Sequence, residues 1–562
     1  MKTAMWSRKR NKSIGCKRSK RIMMKLKRPV AALLAAVLLL GLLAGCHREN
    51  GVSFRVAMGS VPATLDPALA ATDEEKTVVS HLFENLMKLQ SDGSGGTTAV
   101  NGVARSYQCD TTAEGQETYT FKLRSSAAWS DGTKVTAQDF VYAWKRLVDP
   151  LTGSKNARIL DMVAGYSAAR TGEDALQVSA PDDETFVVVL SGRCPYFIDS
   201  VCTAAATMPV QSAAAAQENW SMSPDTLVTN GPYTVASWEN DTMLLQQTDG
   251  YHDARRLGPM SISFRFTADA KTANSLFEKG DADFVLGLTD EAVAKKIDSW
   301  MPDYYPETSV VLLNQLSDLT SNENVRRAMG LVIDRNAIAE LLGSRTHLAA
   351  EGLVTWGIRS TTGGQFRDFG SAVDNDSENY EKNCQTAQEL MKEAGYTAAK
   401  MKSLTPVIML YESDGTADSL ALLLQKTWKE KLGLSVTLKG VSSEEITQAL
   451  ERGEYTLAAL RVTSDRNDAT GFLNRWRMGE EDNYANFTSS AYDMLLRVAA
   501  VSASQEARDA YLEDAERLLI EKGNVIPMYC STRSWSLSES FTGVFGDGLG
   551  RYFFTGVHKA SK

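Results

Sequence analysis

The stretch of this 562-residue chain richest in groups able to do chemistry lies between Arg461 and Arg477. Arg461, Arg466, Arg475 and Arg477 cluster there, with Asp465, Asp468 and Trp476 among them. A guanidinium presents five N–H donors and no acceptor, so such a cluster can meet a carboxylate, bidentately where one is well placed. Arginines on a solvated rim do far less, under about 1 kcal/mol each. Nothing elsewhere assembles a catalytic constellation. The sequence has no Gly-x-Ser-x-Gly elbow, His-Glu-x-x-His helix or phosphate loop, and Gly546-Asp547-Gly548-Leu549-Gly550 reads as a loop with no following helix. His47, His81, His252, His347 and His558 are scattered, which leaves little for zinc binding or general-base work. Cys109, Cys194, Cys202, Cys384 and Cys530 lack zinc-ligand spacing; Cys194 and Cys202 are close enough to pair in an oxidising compartment, which spacing alone leaves open. No catalytic residue, metal or cofactor is expected.

Residues 1–45 carry twelve Lys or Arg, from Lys2 to Arg28, and no Asp or Glu. An apolar run from Val30 to Ala44 follows, interrupted only by Gly41. At about fifteen residues it suits the core of a signal peptide and falls short of the roughly twenty needed to span a bilayer. The leader is long enough that Met23 and Met24 are alternative starts to Met1. It ends Leu43-Ala44-Gly45-Cys46, which resembles the lipobox of bacterial lipoproteins. That resemblance implies a signal peptide over 1–45, a diacylglycerol on the Cys46 sulfur, and a short tether over 46–51. Firm anchoring takes more than one acyl chain. Removing the twelve leader cations from 60 leaves 48 basic against 69 acidic residues, a net charge of −21. A chain so acidic has little attraction for nucleic acid or anionic lipid. The remaining length, about 517 residues, exceeds one hydrophobic core and implies two or more domains.

The elements around the candidate residues follow from local pattern. Tyr119, Phe121 and Leu123 alternate with polar residues, which predicts a strand buried on one face. Ser130-Asp131-Gly132 turns the chain. Thr136 with Asp139 three residues on reads as a capping box, and Phe140, Trp144, Leu147 and Val148 then share one helical face up to Asp149-Pro150. Further along, a helix is expected from Thr77 to Leu89, a surface crossing at the Gly/Ser-rich Ser91–Thr98, and a turn at Gly231-Pro232. A single helix is expected from Asn324 through Arg335.

The order Trp129-Ser130-Asp131-Gly132, then Thr136-Ala137-Gln138-Asp139-Phe140-Val141-Tyr142-Ala143-Trp144, closely resembles the signature of the extracytoplasmic peptide-binding proteins of ABC importers, the oligopeptide/dipeptide-binding family. Similar matches fall at Leu82-Phe83-Glu84-Asn85-Leu86, Asn230-Gly231-Pro232-Tyr233, Leu276-Phe277 through Asp283, Val325-Arg326-Arg327-Ala328 and Leu420 to Leu438, so the likeness covers nearly the whole chain after residue 54. It implies an α/β fold of two lobes, periplasmic-binding-protein-like (type II), with mixed sheets flanked by helices and a ligand cleft between the lobes. Lobe I would be discontinuous, over 51–92, 222–312 and 527–562. An extra domain would span 93–221, and lobe II 313–526.

In that family an Asp following a strand anchors the α-ammonium of a bound peptide. The run Val462-Thr463-Ser464-Asp465-Arg466-Asn467-Asp468-Ala469 places Asp465 on the anchor position, with Phe472-Leu473 supporting the register. Val462, Arg466 and Ala469 stand where Trp, Tyr and Pro are usual. Arg461 and Arg466 are then candidates for a ligand carboxylate, and Trp476 for a cleft wall. The resemblance implies a non-enzymatic, monomeric, lipid-anchored protein on the outer side of the cell membrane or facing the periplasm. It would capture short peptides and pass them to ABC permease subunits. Other small solutes (a nickel chelate, an oligosaccharide) or a signalling-peptide receptor role without transport are the alternatives.

Overall fold

The strand Val52–Met58 buries Phe54, Val56, Ala57 and Met58, the mark of a strand covered on both faces. It lies inside a six-stranded sheet, parallel to Phe284–Leu286 on one side and beside Pro259–Phe266 on the other. The hairpin Tyr233–Glu239 and Thr242–Gln247 completes one end, and Trp535–Leu537 the other. The first lobe is therefore gathered from stretches far apart in sequence. A computed structural model of the chain describes residues 51–561, apart from 94, 95, 268, 290, 291, 293–302 and 405. The expected signal peptide and Cys46, with all but the last residue of the tether, lie outside the described residues. From Ser53 onward the chain forms one compact unit.

The second lobe is built on another six-stranded sheet, ordered His347–Ala349, Val525–Arg533, Asp303–Leu313, Leu457–Thr463, Val407–Glu412 and Val436–Val441. Successive residues of its central strand feed opposite faces. Val311 joins Met329 and Trp428 on one side; Val310 joins Phe472 and Trp476 on the other. A third sheet of four antiparallel strands, Ala104–Thr111, Glu117–Leu123, Thr185–Val189 and Val178–Asp182, carries the helix Ala137–Val148. That helix is capped reciprocally by Thr136 and Asp139, and Gly132 takes the turn before it at φ +86°. Trp144 is fully buried and donates its indole N–H to the Thr207 carbonyl (2.9 Å). Arg146, from the same helix, grips the buried Asp66 carboxylate bidentately (3.0 and 2.5 Å), which ties this domain to the first lobe. Asn230-Gly231 docks on the end of the helix Asp73–Leu82: Asn230 exchanges hydrogen bonds with the Glu84 backbone (3.0 and 2.9 Å). A Cβ on Gly231 would stand 2.5 Å from the Leu82 carbonyl carbon, so only glycine fits.

Four expectations need correction. Ser91–Thr98 is no crossing between lobes: Met87–Ser91 and Thr97–Asn101 pair antiparallel, with Ser91 opposite Thr97, so the chain doubles back there. The first helix stops at Leu82, because Asn85 turns its amide to Ala204 and Thr207 while Asn230 takes the Glu84 N–H. The helix expected from Asn324 is two, Glu323–Leu331 and Arg335–Leu342; Asp334 breaks it by capping the second (3.0 Å to the Ala337 N–H). Finally, Asp303–Leu313 and Val525–Arg533 pair along most of their length within the second sheet, so that lobe extends beyond 313–526 at both ends. Among the described residues, no helix is long and apolar enough to cross a membrane.

Candidate functional site

The strand Leu457–Thr463 delivers the chain into a tight loop. Ser464 Oγ donates to the Arg466 carbonyl (2.7 Å) and accepts from the Arg466 N–H (3.3 Å), which folds the loop on itself. Gly471 packs against it so closely that a Cβ would collide with Ser464 Oγ. The loop holds Asp465 on the wall of a cavity of about 50 Å³. The opposite walls come from the first lobe and the extra domain: Lys76, Asn156, Ile159, Ala204 to Ala206, and Leu549 with Arg551. Leu549 and Arg551 also line a second cavity of about 250 Å³, with Tyr196, Arg359, Asn467 and Gln505. The segment 464–468 thus lies between the two cavities, and both sit between the lobes.

Arg466 dominates the electrostatics of this loop. Its Nε donates to Asp465 Oδ1 (2.7 Å) and its Nη2 to Asp465 Oδ2 (3.2 Å). Across the cleft, Nη1 reaches Asp161 Oδ1 (2.6 Å) and the Tyr196 hydroxyl (3.1 Å), and Nη2 reaches the Arg158 carbonyl (2.7 Å). All five N–H donors of the guanidinium are therefore used. The side chain is 0% exposed and also lies over the Tyr196 ring, 5.4 Å from its centroid. Burial pushes the Asp465 carboxyl up, but the charge and hydrogen bonds of Arg466, with Arg158 and Arg475 nearby, outweigh it and hold the group below the usual carboxylate range.

Other contacts span the same gap. Arg158 pairs with Glu480 (3.1 Å) and with Asp482. Asn474 Nδ2 donates to Asp161 Oδ2 (3.2 Å), the Asn467 N–H to Ser200 Oγ (3.2 Å), and Arg359 Nη2 to the Thr97 carbonyl (3.0 Å). Within the second lobe, Asp468 is paired with Arg508 (2.9 Å). The lobes are closed on each other.

Of the residues singled out from sequence, Asp465 is the one that lines the smaller cavity. Arg466 is not a free partner for a ligand carboxylate, because its donors are consumed by Asp465 and the extra domain. Trp476 is not a cleft wall: it is 1% exposed and packs in the second lobe's core with Phe472 and Tyr492. Arg461 is half-exposed, pairs with Asp414 (3.3 Å) and Glu412 (3.8 Å), and does not line the cavity of Asp465. Cys194 and Cys202, both buried, are free thiols rather than a disulfide. Sequence reasoning missed Lys76, Asp161, Tyr196 and Arg158. No local signal marks them, since each acts on residues hundreds of positions away.

Comparison with known proteins agrees with this architecture. Residues 98–484 match the family described as bacterial extracellular solute-binding proteins, family 5 Middle. The chain is similar to the periplasmic oligopeptide-binding protein OppA of Escherichia coli, 29% identical over 487 residues, which cover 84% of this chain and 86% of that protein. It is also similar to the dipeptide-binding protein DppE of Bacillus subtilis, 24% identical and covering 86% and 87% respectively. Among solved structures, OppA of Burkholderia pseudomallei superposes with a TM-score of 0.76 at 24% identity, over 91% of this chain and all of that one. The murein tripeptide-binding protein MppA of Escherichia coli gives 0.76 at 24% identity, over 92% and 99%. These likenesses establish the type II periplasmic-binding-protein fold.

Proposed function

The chain belongs to the bacterial extracellular solute-binding proteins, family 5, and from that premise we propose that it captures short peptides between its lobes and delivers them to the permease of an ABC importer. The observation that carries this reading is the pair of interlobe cavities on either side of the segment 464–468, which share Leu549 and Arg551: about 50 Å³ beside Asp465, Lys76 and Asn156, and about 250 Å³ beside Tyr196, Arg359 and Gln505. A guest there touches both halves, and only a ligand with different affinity for the open and closed forms can shift their balance. Backbone hydrogen bonding lets such a cleft hold peptides of varied sequence. The relatives' names, oligopeptide-binding and dipeptide-binding, point to the same ligand class.

The lipobox-like Leu43-Ala44-Gly45-Cys46 supports tethering by lipid on Cys46 at the outer face of the membrane. The protein works there as a monomer, and the clamshell motion needs no second copy.

The test is addition of mixed short peptides to the purified soluble chain, read by tryptophan fluorescence and X-ray scattering, with native mass spectrometry to weigh what is retained. A saturable change with a retained peptide mass supports the reading. No response to any peptide pool, or retention of a non-peptide solute alone, contradicts it.

A further inference from the structure

A third cavity lies in the first lobe, apart from Asp465. It holds about 180 Å³ and is open rather than sealed. Its lining is mostly apolar: Phe83, Met87, Met208 and Phe553 are buried there, and Leu257 and Phe545 are half-buried. Local structure explains how they meet. Asn85 and Asn230 stop the helix Asp73–Leu82, so Phe83 leaves the helical path at its end. The short hairpin of Phe545–Gly546 with Tyr552–Phe553 adds two rings, stacked 4.9 Å apart. Two acids and two bases share the lining and contact one another: Glu84 meets Lys88 (3.2 Å), Lys88 meets Asp253 (2.8 Å), and Asp253 meets Arg256 (3.6 Å). The lining therefore carries no net charge.

Protein interiors leave few voids larger than a water molecule, and atoms that face a gap forfeit the contacts a neighbour would give. An apolar cavity of about 150 Å³ is enough to bind benzene, so this one has room for an aromatic ring. Its position says where the ring comes from. Leu89 lines both this cavity and the interlobe cavity of about 250 Å³, and the loop 545–551 gives Phe545 to one and Asp547 and Leu549 to the other. A guest in the interlobe cavity has this pocket as its neighbour on the first-lobe side. A charged side chain turning into it would leave water for an apolar wall with no net countercharge, whereas a ring gains by the same move.

We propose that this pocket takes one uncharged, ring-sized side chain of the captured peptide, so that the protein favours guests with an aromatic residue at a single position. This rests on the peptide-capture reading above and adds to it a side-chain preference.

The experiment is isothermal titration calorimetry of the purified chain lacking residues 1–46 with short alanine peptides, each carrying Phe, Lys or Glu at one position in turn. At one position Phe is expected to bind at least about tenfold tighter than alanine, with Lys and Glu there no tighter than alanine. Met208→Trp, which fills the space, is expected to erase the ratio of Phe to alanine affinity. A crystal grown with 4-bromophenylalanine at the favoured position should place the bromine anomalous peak between Phe83 and Phe553. Alanine peptides that bind with no Phe advantage at any position, a bromine peak elsewhere, or an unchanged ratio in folded Met208→Trp each overturn the inference and leave peptide capture standing. Failure of every peptide to bind removes peptide capture and, with it, this inference. The scan and the bromine position, both read on the unmodified chain, decide even if Met208→Trp fails to fold.

Discussion

Replacing Arg466 by Met removes the guanidinium that joins Asp465 of one lobe to Asp161 and Tyr196 of the other, while keeping a long apolar stem in the same space. The side chain is fully buried, and its loss leaves two carboxylates facing each other without their shared cation. Breaking a buried pair by deleting one partner costs about 3–5 kcal/mol. Asp161 and Asp465 keep some exposure, 14% and 27%, so water takes up part of the loss and the lower end applies, about 3 kcal/mol. Most of these bonds exist only while the lobes are shut. The loss therefore falls on closure, and at about 1.4 kcal/mol per tenfold it shifts the closed-to-open ratio by roughly 100-fold. X-ray scattering without added peptide measures this directly: the variant's radius of gyration should rise relative to the parent, with its far-ultraviolet circular dichroism unchanged. An unchanged radius of gyration, together with a melting temperature within a degree of the parent, would refute the idea that Arg466 holds the lobes together.

Acid should loosen the same contact. The Asp465 carboxyl titrates in the folded chain below its unfolded value of about 3.9, so its stabilisation is complete above about pH 4 and is lost as the pH falls through the folded value. Thermal melts below pH 4 should show this slope, and Asp465→Asn should flatten it. His81 works over a different window. Burial, partly countered by its bond to the Thr77 carbonyl, lowers it to about 4, and the Phe554 N–H donates to its Nε2 (3.0 Å), which requires the neutral ring. A folded value below the ordinary 6.5 means that stability falls as pH drops from 6.5 towards 4, by roughly 3 kcal/mol in total. Histidine NMR should find one ring still neutral at pH 5. Gly231→Ala should cost about 1–3 kcal/mol by overpacking against the Leu82 backbone, read as a lower melting temperature, whereas Gly250→Ala, with no atoms near its Cβ, should lose less and only through its positive φ of +77°.

What could be read from the sequence was local. Thr136 and Asp139 lie three residues apart, Gly132 fixes its own turn, and the helix they start buries the face its spacing predicts. Asp465 was reachable because a run of residues around it resembles a known family. Arg466 was not: it stands next to Asp465, but what defines its role is Asp161, Tyr196 and Arg158, some 270 to 308 positions earlier. No periodicity reports on such contacts. Trp476 misled for a related reason. A tryptophan near a candidate cleft and one in a core look alike in sequence, and only the short turns Thr470–Leu473 and Asn474–Trp476 decide which way it faces. The broken helix at Asp334 shows the same limit, since an acidic residue inside an apparently helical stretch reads as surface until its side chain is seen to cap.

The most direct test of the account is a crystal structure of the chain grown with a retained short peptide. The account predicts the peptide between the lobes, touching Asp465 on one side and the wall of Lys76, Asn156 and Arg551 on the other. A peptide seated on an outer face, or lobes that shut with no room for one, would contradict it.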